Sequence, residues 1–385
     1  MEKSLRIPAA SFGDDNSKVI FGRESDKKEI IDLLISNEAN DRKLSVISLL
    51  ANDGMGKTIL ARLIYKDHRV SEHCDLAWAY VSDLSDTFMV TKAVLESFTL
   101  QSYDLKEQDM SQLEANLCER LEGKRFLLVL NIASPFIFGG WEALQPHFIK
   151  GANGSYVFVT TRNEISTSSI KPLYVYHIKP LSDEDSWSLF VNFASGGQNP
   201  SSYPELEDIG RQIMEKCCGS PLAIRTVGCL LRLKLQVEER DAVLDHLKQN
   251  LEDFKTALNN TLTLSYSTLK LSYDHLSEQI KRCFAYCSIF PSGYEFEKNK
   301  LVLLWMAEGL PHDPRGNSRM EDVGDEYFQE LLSRSFLQIS SGNKSSFVMH
   351  DLVSHFAVEV SGRYCCRLED LGPFVSEIVT VKRQI

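Results

Sequence analysis

The stretch "ANDGMGKTIL" at residues 51–60 carries Gly56, Lys57 and Thr58 in succession, with a second glycine at Gly54. That combination suits one chemistry, the holding of phosphate. Glycines bring the backbone close to the anion, and the first N–H groups of the following helix are unpaired. Gly54, Met55 and Gly56 then cradle the phosphates, and Lys57 meets the β- and γ-phosphates. Thr58 binds Mg2+ through its hydroxyl, with Ile59 beside it in the first helical turn. A lysine at a helix N-terminus is electrostatically ill-placed unless an anion sits there, which favours this reading. Two features depart from Gly-x-x-x-x-Gly-Lys-Ser/Thr: the opening position is Ala51, and Asp53 lies inside the loop. A carboxylate about 6 Å from a phosphate charge repels it by roughly 3 kcal/mol at an effective dielectric of 20. Affinity then drops by about one to two orders of magnitude. A weakened nucleotide site is expected.

Other chemistry is sparse. The nine cysteines include no C-x-x-C, and no His/Cys cluster has zinc-ligand spacing. They read as small buried thiols in a reducing compartment. The formal charge of −11 argues against a nucleic-acid binder, which needs a basic face. The first residues lack the apolar stretch of a signal peptide, and runs such as "LVLLWMA" are too short to cross a bilayer. A cytoplasmic protein with no membrane segment is expected.

The elements that position the loop follow from patterning. At 385 residues, two or three domains are expected. Five short apolar runs, "KLSVISLL", "LAWAYVS", "KRFLLVL", "SYVFVTTR" and "LYVYHI", alternate with helical segments, as a parallel sheet covered on both faces requires. "KLSVISLL", the loop and a helix from Lys57 to about Lys66 give the strand–loop–helix context the phosphate motif needs. Past residue 178 the pattern turns helical. "SDEDSWSLFVNFA" opens with a serine cap and acidic first turn, and two further helices break at Gly219-Ser220-Pro221. The last segment has helices closed by a hairpin, "SFLQIS" to "SSFVMH" across "SGNK", which suggests a winged helix. "LSYSTLKLSY" repeats Leu-Ser-Tyr at two helical turns, one core-facing stripe. The expected boundaries are a flexible N-terminus at 1–18 and an α/β P-loop nucleotide-binding domain at 19–177. A helical domain at 178–255, a winged-helix domain at 256–360 and a C-terminal tail at 361–385 follow.

From Val19 to about Phe356 the chain resembles the NB-ARC module of plant leucine-rich-repeat immune receptors of the coiled-coil class. The motifs stand in the family's order: "VIFGRE", the phosphate loop, "VFVTTR", "HIKPLSDEDSWSLF", "GSPLA", "CFAYCSIFP", "LLWMAEGL" and "MHDL". The resemblance implies that Phe21, Gly22 and Arg23 lie on the adenine side and that Pro221 packs on the adenine. It also implies that Arg162 senses the γ-phosphate and that His350 contacts the ADP β-phosphate from the winged helix. ADP would hold the domains closed; exchange for ATP would open them and drive homo-oligomerisation. The family's "LLVLDD" is "LLVLNI" here, so Asn131 is a poor Mg2+ ligand and Ile132 cannot orient water. Hydrolysis is expected to be very slow or absent. Ser220 stands where the family has Leu. The coiled-coil segment and leucine-rich repeats are not in the sequence, so an excised module or truncated product is expected. Full-length immune receptors and pathogen-sensing proteins are the implied partners. The leading expectation is an ADP/ATP-binding switch of a disease resistance receptor. A nucleotide-free interaction or decoy protein and an active P-loop ATPase are the alternatives.

Overall fold

The computed structural model describes residues 20–36, 42–81, 86–103, 109–132, 140–162, 170–195, 205–233, 245, 261–312, 318–340 and 345–362. The expected N-terminal segment 1–18, the hairpin turn at 341–344, Cys365–Cys366 and the tail from 363 lie outside the described residues.

The five apolar runs are strands: β1 (Leu44–Leu50), β2 (Asp75–Val81), β3 (Phe126–Ile132), β4 (Ser155–Thr161) and β5 (Tyr174–His177). All pair in parallel, in the order β2-β3-β4-β1-β5. Every residue of β3 and β4 is buried, which is why their sequences are almost continuously apolar. Side-chain alternation divides them between two cores. Leu128, Leu130, Val157 and Val159 pack with Leu113, Leu117, Leu144 and Phe148. Leu127, Val129, Tyr156 and Phe158 pack with Ile30, Ile31, Leu60 and Ile64. Helices α1 (Glu24–Ile35) and α2 (Lys57–Tyr65) thus cover one face, and the short α3 (His68–Ser71) follows α2. Helices α4 (Thr87–Thr99), α5 (Met110–Leu121) and α6 (Gly140–Phe148) cover the other. Asp86 starts α4 by accepting the Met89 N–H at 2.9 Å, and Leu100 ends it at a left-handed φ of 56°.

Helices α7 (Asp183–Ala194), α8 (Glu205–Cys217) and α9 (Pro221–Leu233) build a second unit around Phe190, Ile213, Ile224 and Val227. Ser182 caps α7 as its sequence requires, its hydroxyl accepting the Asp185 N–H at 3.0 Å. The α8–α9 break falls where expected. Cys218 and Gly219 both take left-handed φ, and Pro221 opens α9 at the one turn that needs no donor.

The third unit is α10 (Thr261–Asp274), α11 (Glu278–Tyr286), β6 (Phe296–Glu297), α12 (Lys298–Ala307), α13 (Met320–Ser333), β7 (Gln338–Ile339), β8 (Ser346–Val348) and α14 (Asp351–Ser361). Its antiparallel sheet runs β6-β8-β7, and Phe284, Trp305, Phe328, Phe336 and Phe356 fill its core. This is the winged helix. Ser265 and Ser272, seven apart on α10, are both buried, so the repeat is a core stripe.

The cysteine reading needs one correction. Cys217, Cys229, Cys283 and Cys287 are buried, but Cys74 and Cys118 are half-buried and Cys218 is exposed. Cys218 leaves the core because it sits in the left-handed turn after α8. Burial pushes the Cys283 thiol up to about 12, so it stays protonated. Among the described residues no group of His, Cys, Asp or Glu is arranged to hold a metal ion. No described helix is long and apolar enough to cross a membrane.

A pair of substitutions tests the helical turn. A Cβ at Gly219 would meet the Leu181 carbonyl oxygen at 2.6 Å and its nitrogen at 2.8 Å, on a φ of 65°. At Gly309 φ is also 65°, with nothing within 4 Å. Denaturant titration should show Gly309→Ala costing about 1–2 kcal/mol, the left-handed strain alone. Gly219→Ala should cost at least about 2 kcal/mol more, since backbone cannot move aside. Equal losses would contradict the contact.

Candidate nucleotide site

Sheet topology assembles the site before any side chain is considered. β3, β4 and β1 are adjacent and parallel, so the segments leaving their C-terminal ends meet at one edge. Leu50 pairs with Thr161, and the Ala51 N–H carries the ladder one step further to the Thr161 carbonyl at 3.3 Å. Asn131 pairs with Thr160. The phosphate loop, Arg162 and Asn131 are therefore neighbours.

The loop keeps its shape despite its altered sequence. Gly54 and Gly56 have φ of 83° and 90°, whereas Ala51 and Asp53 have no left-handed φ. The two glycines that remain are thus the two the backbone requires. Gly54 is also pressed against the other units: a Cβ there would meet Leu222 Cβ and Ser265 Oγ, both at 2.9 Å. Its carbonyl accepts the Leu222 N–H at 3.2 Å. Arg23 is buried and donates to the Met55 carbonyl at 3.0 Å and to Asp26 at 3.1 Å. It braces the loop from behind. Phe21 packs on the helical core, and a Cβ on Gly22 would strike Asp185 Oδ2 at 2.6 Å. Thr58 and Ile59 are half-buried in the first turn of α2.

Asp53 is where the structure departs most from expectation. It does not stand as a lone charge facing the phosphate position. Its Oδ1 accepts from Lys57 Nζ at 3.2 Å and its Oδ2 from Arg162 Nη1 at 2.7 Å. Lys57 Nζ also donates to the Ala51 and Asn52 carbonyls at 2.8 and 3.0 Å. The unscreened repulsion expected from sequence is therefore corrected: two cations neutralise this carboxylate. Burial alone would raise the Asp53 carboxyl. The Lys57 charge and the Arg162 bond outweigh it and hold the group below the ordinary carboxylate value. Burial pushes the Lys57 ammonium down, and Asp53 opposes that shift.

The winged helix meets the same site. His350 caps α14, its Nδ1 accepting the Leu352 N–H at 3.1 Å. Nδ1 is an acceptor, so the neutral ring carries its proton on Nε2 and can donate from there. Desolvation pushes His350 down to about 4, with Asp53 and Lys57 both close enough to act on it. Asp351 is pushed up to about 6 by desolvation first and by the Asp53 charge second; Lys57 and a hydrogen bond from Asn131 oppose the rise. Asn131 Oδ1 accepts from Thr160 Oγ1 at 2.6 Å, which leaves its NH2 to serve Asp351. Pro221 begins α9 directly after Ser220, whose hydroxyl lies 2.9 Å from that of Ser265.

The residues do not fit a Mg2+ centre built on β3. Asn131 is neutral with its oxygen engaged by Thr160, and Ile132 is buried in an apolar core. The phosphate cradle does fit: two left-handed glycines, a helix N-terminus and two cations converge. Sequence reading missed Thr160, Leu222 and Ser265, whose roles depend on register and on packing between units.

Comparison with known proteins agrees with this geometry. Residues 23–199 match the NB-ARC domain, and residues 289–357 match the disease resistance protein winged helix domain. The chain is thus an NB-ARC nucleotide-binding module of the plant disease resistance type, with its winged helix attached. It is 39% identical over 368 residues to an RPP13-like disease resistance protein of Arabidopsis thaliana, covering 95% of this chain and 34% of that one. It is 38% identical over 345 residues to disease resistance protein RGA2 of Solanum bulbocastanum, covering 89% and 34%. Disease resistance protein RPM1 of Arabidopsis thaliana is 31% identical over 375 residues, covering 92% and 38%. The chain spans about a third of the length of these relatives.

The two winged-helix residues give the fold a balanced pH response. Asp351, raised from 3.8 to about 6, contributes stability that is present at low pH and lost as pH rises through about 6. His350, lowered from 6.5 to about 4, contributes stability that is present above 6.5 and lost as pH falls through about 4. The two nearly offset between pH 6 and 4. Asp351→Asn should therefore lose more stability than wild type between pH 7 and 5. His350→Asn, which keeps a capping acceptor, should lose less. Urea midpoints at both pH values check this, and identical pH dependence in all three proteins would contradict it.

Proposed function

We propose that this chain is the ADP/ATP-reading regulatory module of a plant immune receptor, acting through domain closure rather than turnover. The observation that carries this reading is the meeting of three units at one loop. Leu222 and Ser265 pack on Gly54, and His350 and Asp351 lie within electrostatic reach of Asp53 and Lys57. A ligand on the loop is then sensed directly by the winged helix. In this reading the nucleotide-binding, helical and winged-helix domains span 19–177, 178–255 and 256–360. Phe21, Gly22 and Pro221 flank the adenine, Gly54 to Ile59 hold the phosphates, and Arg162 and His350 report the phosphate state. Release of closure exposes surfaces for homo-oligomers or for partner receptors, within a cytoplasmic setting.

Turnover has little support in these residues. A hydrolase needs a charged metal ligand and a group to orient water, and Asn131 and Ile132 supply neither. Steady-state ATP hydrolysis should be negligible. Asn131→Asp with Ile132→Asp and Asp53→Gly should raise it, and wild-type rates of an ordinary ATPase would overturn the switch reading. A second reading, a nucleotide-free interaction protein, is favoured by the engagement of both cations by Asp53.

Closure is tested through His350. A hydrogen bond from Nε2–H to a phosphate is charge-assisted and worth about 1.5–3 kcal/mol. Its loss should change the closed:open ratio by roughly 10- to 150-fold. Small-angle scattering with ADP should show His350→Ala expanded relative to wild type. Equal compactness would mean that His350 only caps α14.

A further inference from the structure

The cations of the phosphate site already have an anion. Lys57 has three N–H donors, and the Ala51 carbonyl, the Asn52 carbonyl and Asp53 Oδ1 take all three. The other Asp53 oxygen holds Arg162 at 2.7 Å. One carboxylate thus spans the loop after β1 and the residue after β4, one oxygen on each cation. A terminal phosphate bridging the same two groups would make the same pair of bonds. The bridge is built in rather than incidental. Asp53 sits on ordinary backbone immediately before two fixed points, Gly54 held against Leu222 and Met55 held by Arg23. Of its partners, Lys57 opens α2 and Arg162 directly follows β4, whose register against β1 is set.

We propose that Asp53 is a tethered anion occupying the phosphate site, so that the module adopts this closed form around its own carboxylate and admits only polyphosphates able to displace it. The proposal rests on reading the loop as a nucleotide site and goes beyond it. The resting state is defined by the chain itself, and nucleotide enters as a competitor. A carboxylate on the same loop faces its cations at high effective concentration. If it leaves them about 1–10% of the time, apparent affinity for a polyphosphate falls by about 100- to 10-fold. Removing it leaves Lys57 and Arg162 as two uncompensated cations, which seek an external anion.

The test is calorimetric titration of wild type, Asp53→Gly and the near-isosteric Asp53→Asn with ADP and, separately, with inorganic pyrophosphate. Melting temperatures without ligand are measured alongside. Both variants should bind ADP about 10- to 100-fold more tightly than wild type and should bind pyrophosphate, which wild type ignores. Both should melt lower than wild type without ligand and recover with pyrophosphate. ADP affinity equal in all three proteins overturns the tethered anion while leaving a nucleotide site. Variants that gain pyrophosphate but not ADP uphold the tethered anion and overturn the nucleotide reading. Binding of neither ligand, with unchanged melting, overturns both.

Discussion

One carboxylate, on Asp53, holds together the parts on which the site depends. It joins the loop leaving β1 to Arg162 at the end of β4, and it completes the coordination of Lys57. A loop that offers N–H groups and cations to an anion is electrostatically strained when none is present, because positive dipole ends and cations converge there. Asp53 removes that tension from within. The loop can then serve as a fixed platform for Leu222, Ser265 and the winged helix.

Charge neutrality extends the same logic to the third unit. The Asp53 charge helps raise the Asp351 carboxyl, so a third acid at the end of β3 would crowd the cluster. Asn131 avoids this. It accepts from Thr160 and donates toward Asp351, two roles a carboxylate could not combine. Asp53 and Asn131 are thus complementary: one places a negative charge beside the cations, and the other withholds one beside the winged helix. Neither Asn131 nor Ile132 offers a charged ligand for a metal at β3.

Much of the architecture could be read from the sequence, for physical reasons. Parallel strands buried on both faces must be continuously apolar, so all five stood out. The Ser182 cap and the Gly219–Pro221 break are local signals that need no tertiary context. The site was legible as a set of residues but not as a set of bonds. Gly54 and Gly56 mark the left-handed positions, yet nothing local showed that position 51 could dispense with glycine or that Asp53 would be paired within the loop. Arg162 and Asp53 are 109 residues apart, and only the β1–β4 register makes them partners. Arg23 sits in a ligand-side motif but spends itself on Met55 and Asp26, a role visible only once α1 is packed beside the loop.

The claim that Asp53 is ion-paired inside the loop is open to direct measurement. Its side-chain carboxyl carbon can be followed by NMR from neutral pH into acid, in wild type and in Arg162→Ala without nucleotide. The account requires a wild-type titration below the ordinary value of 3.8, since cations on both oxygens outweigh burial. In Arg162→Ala the titration should move upward as burial regains ground. A wild-type Asp53 that titrates at or above 3.8, unmoved by loss of Arg162, would contradict it.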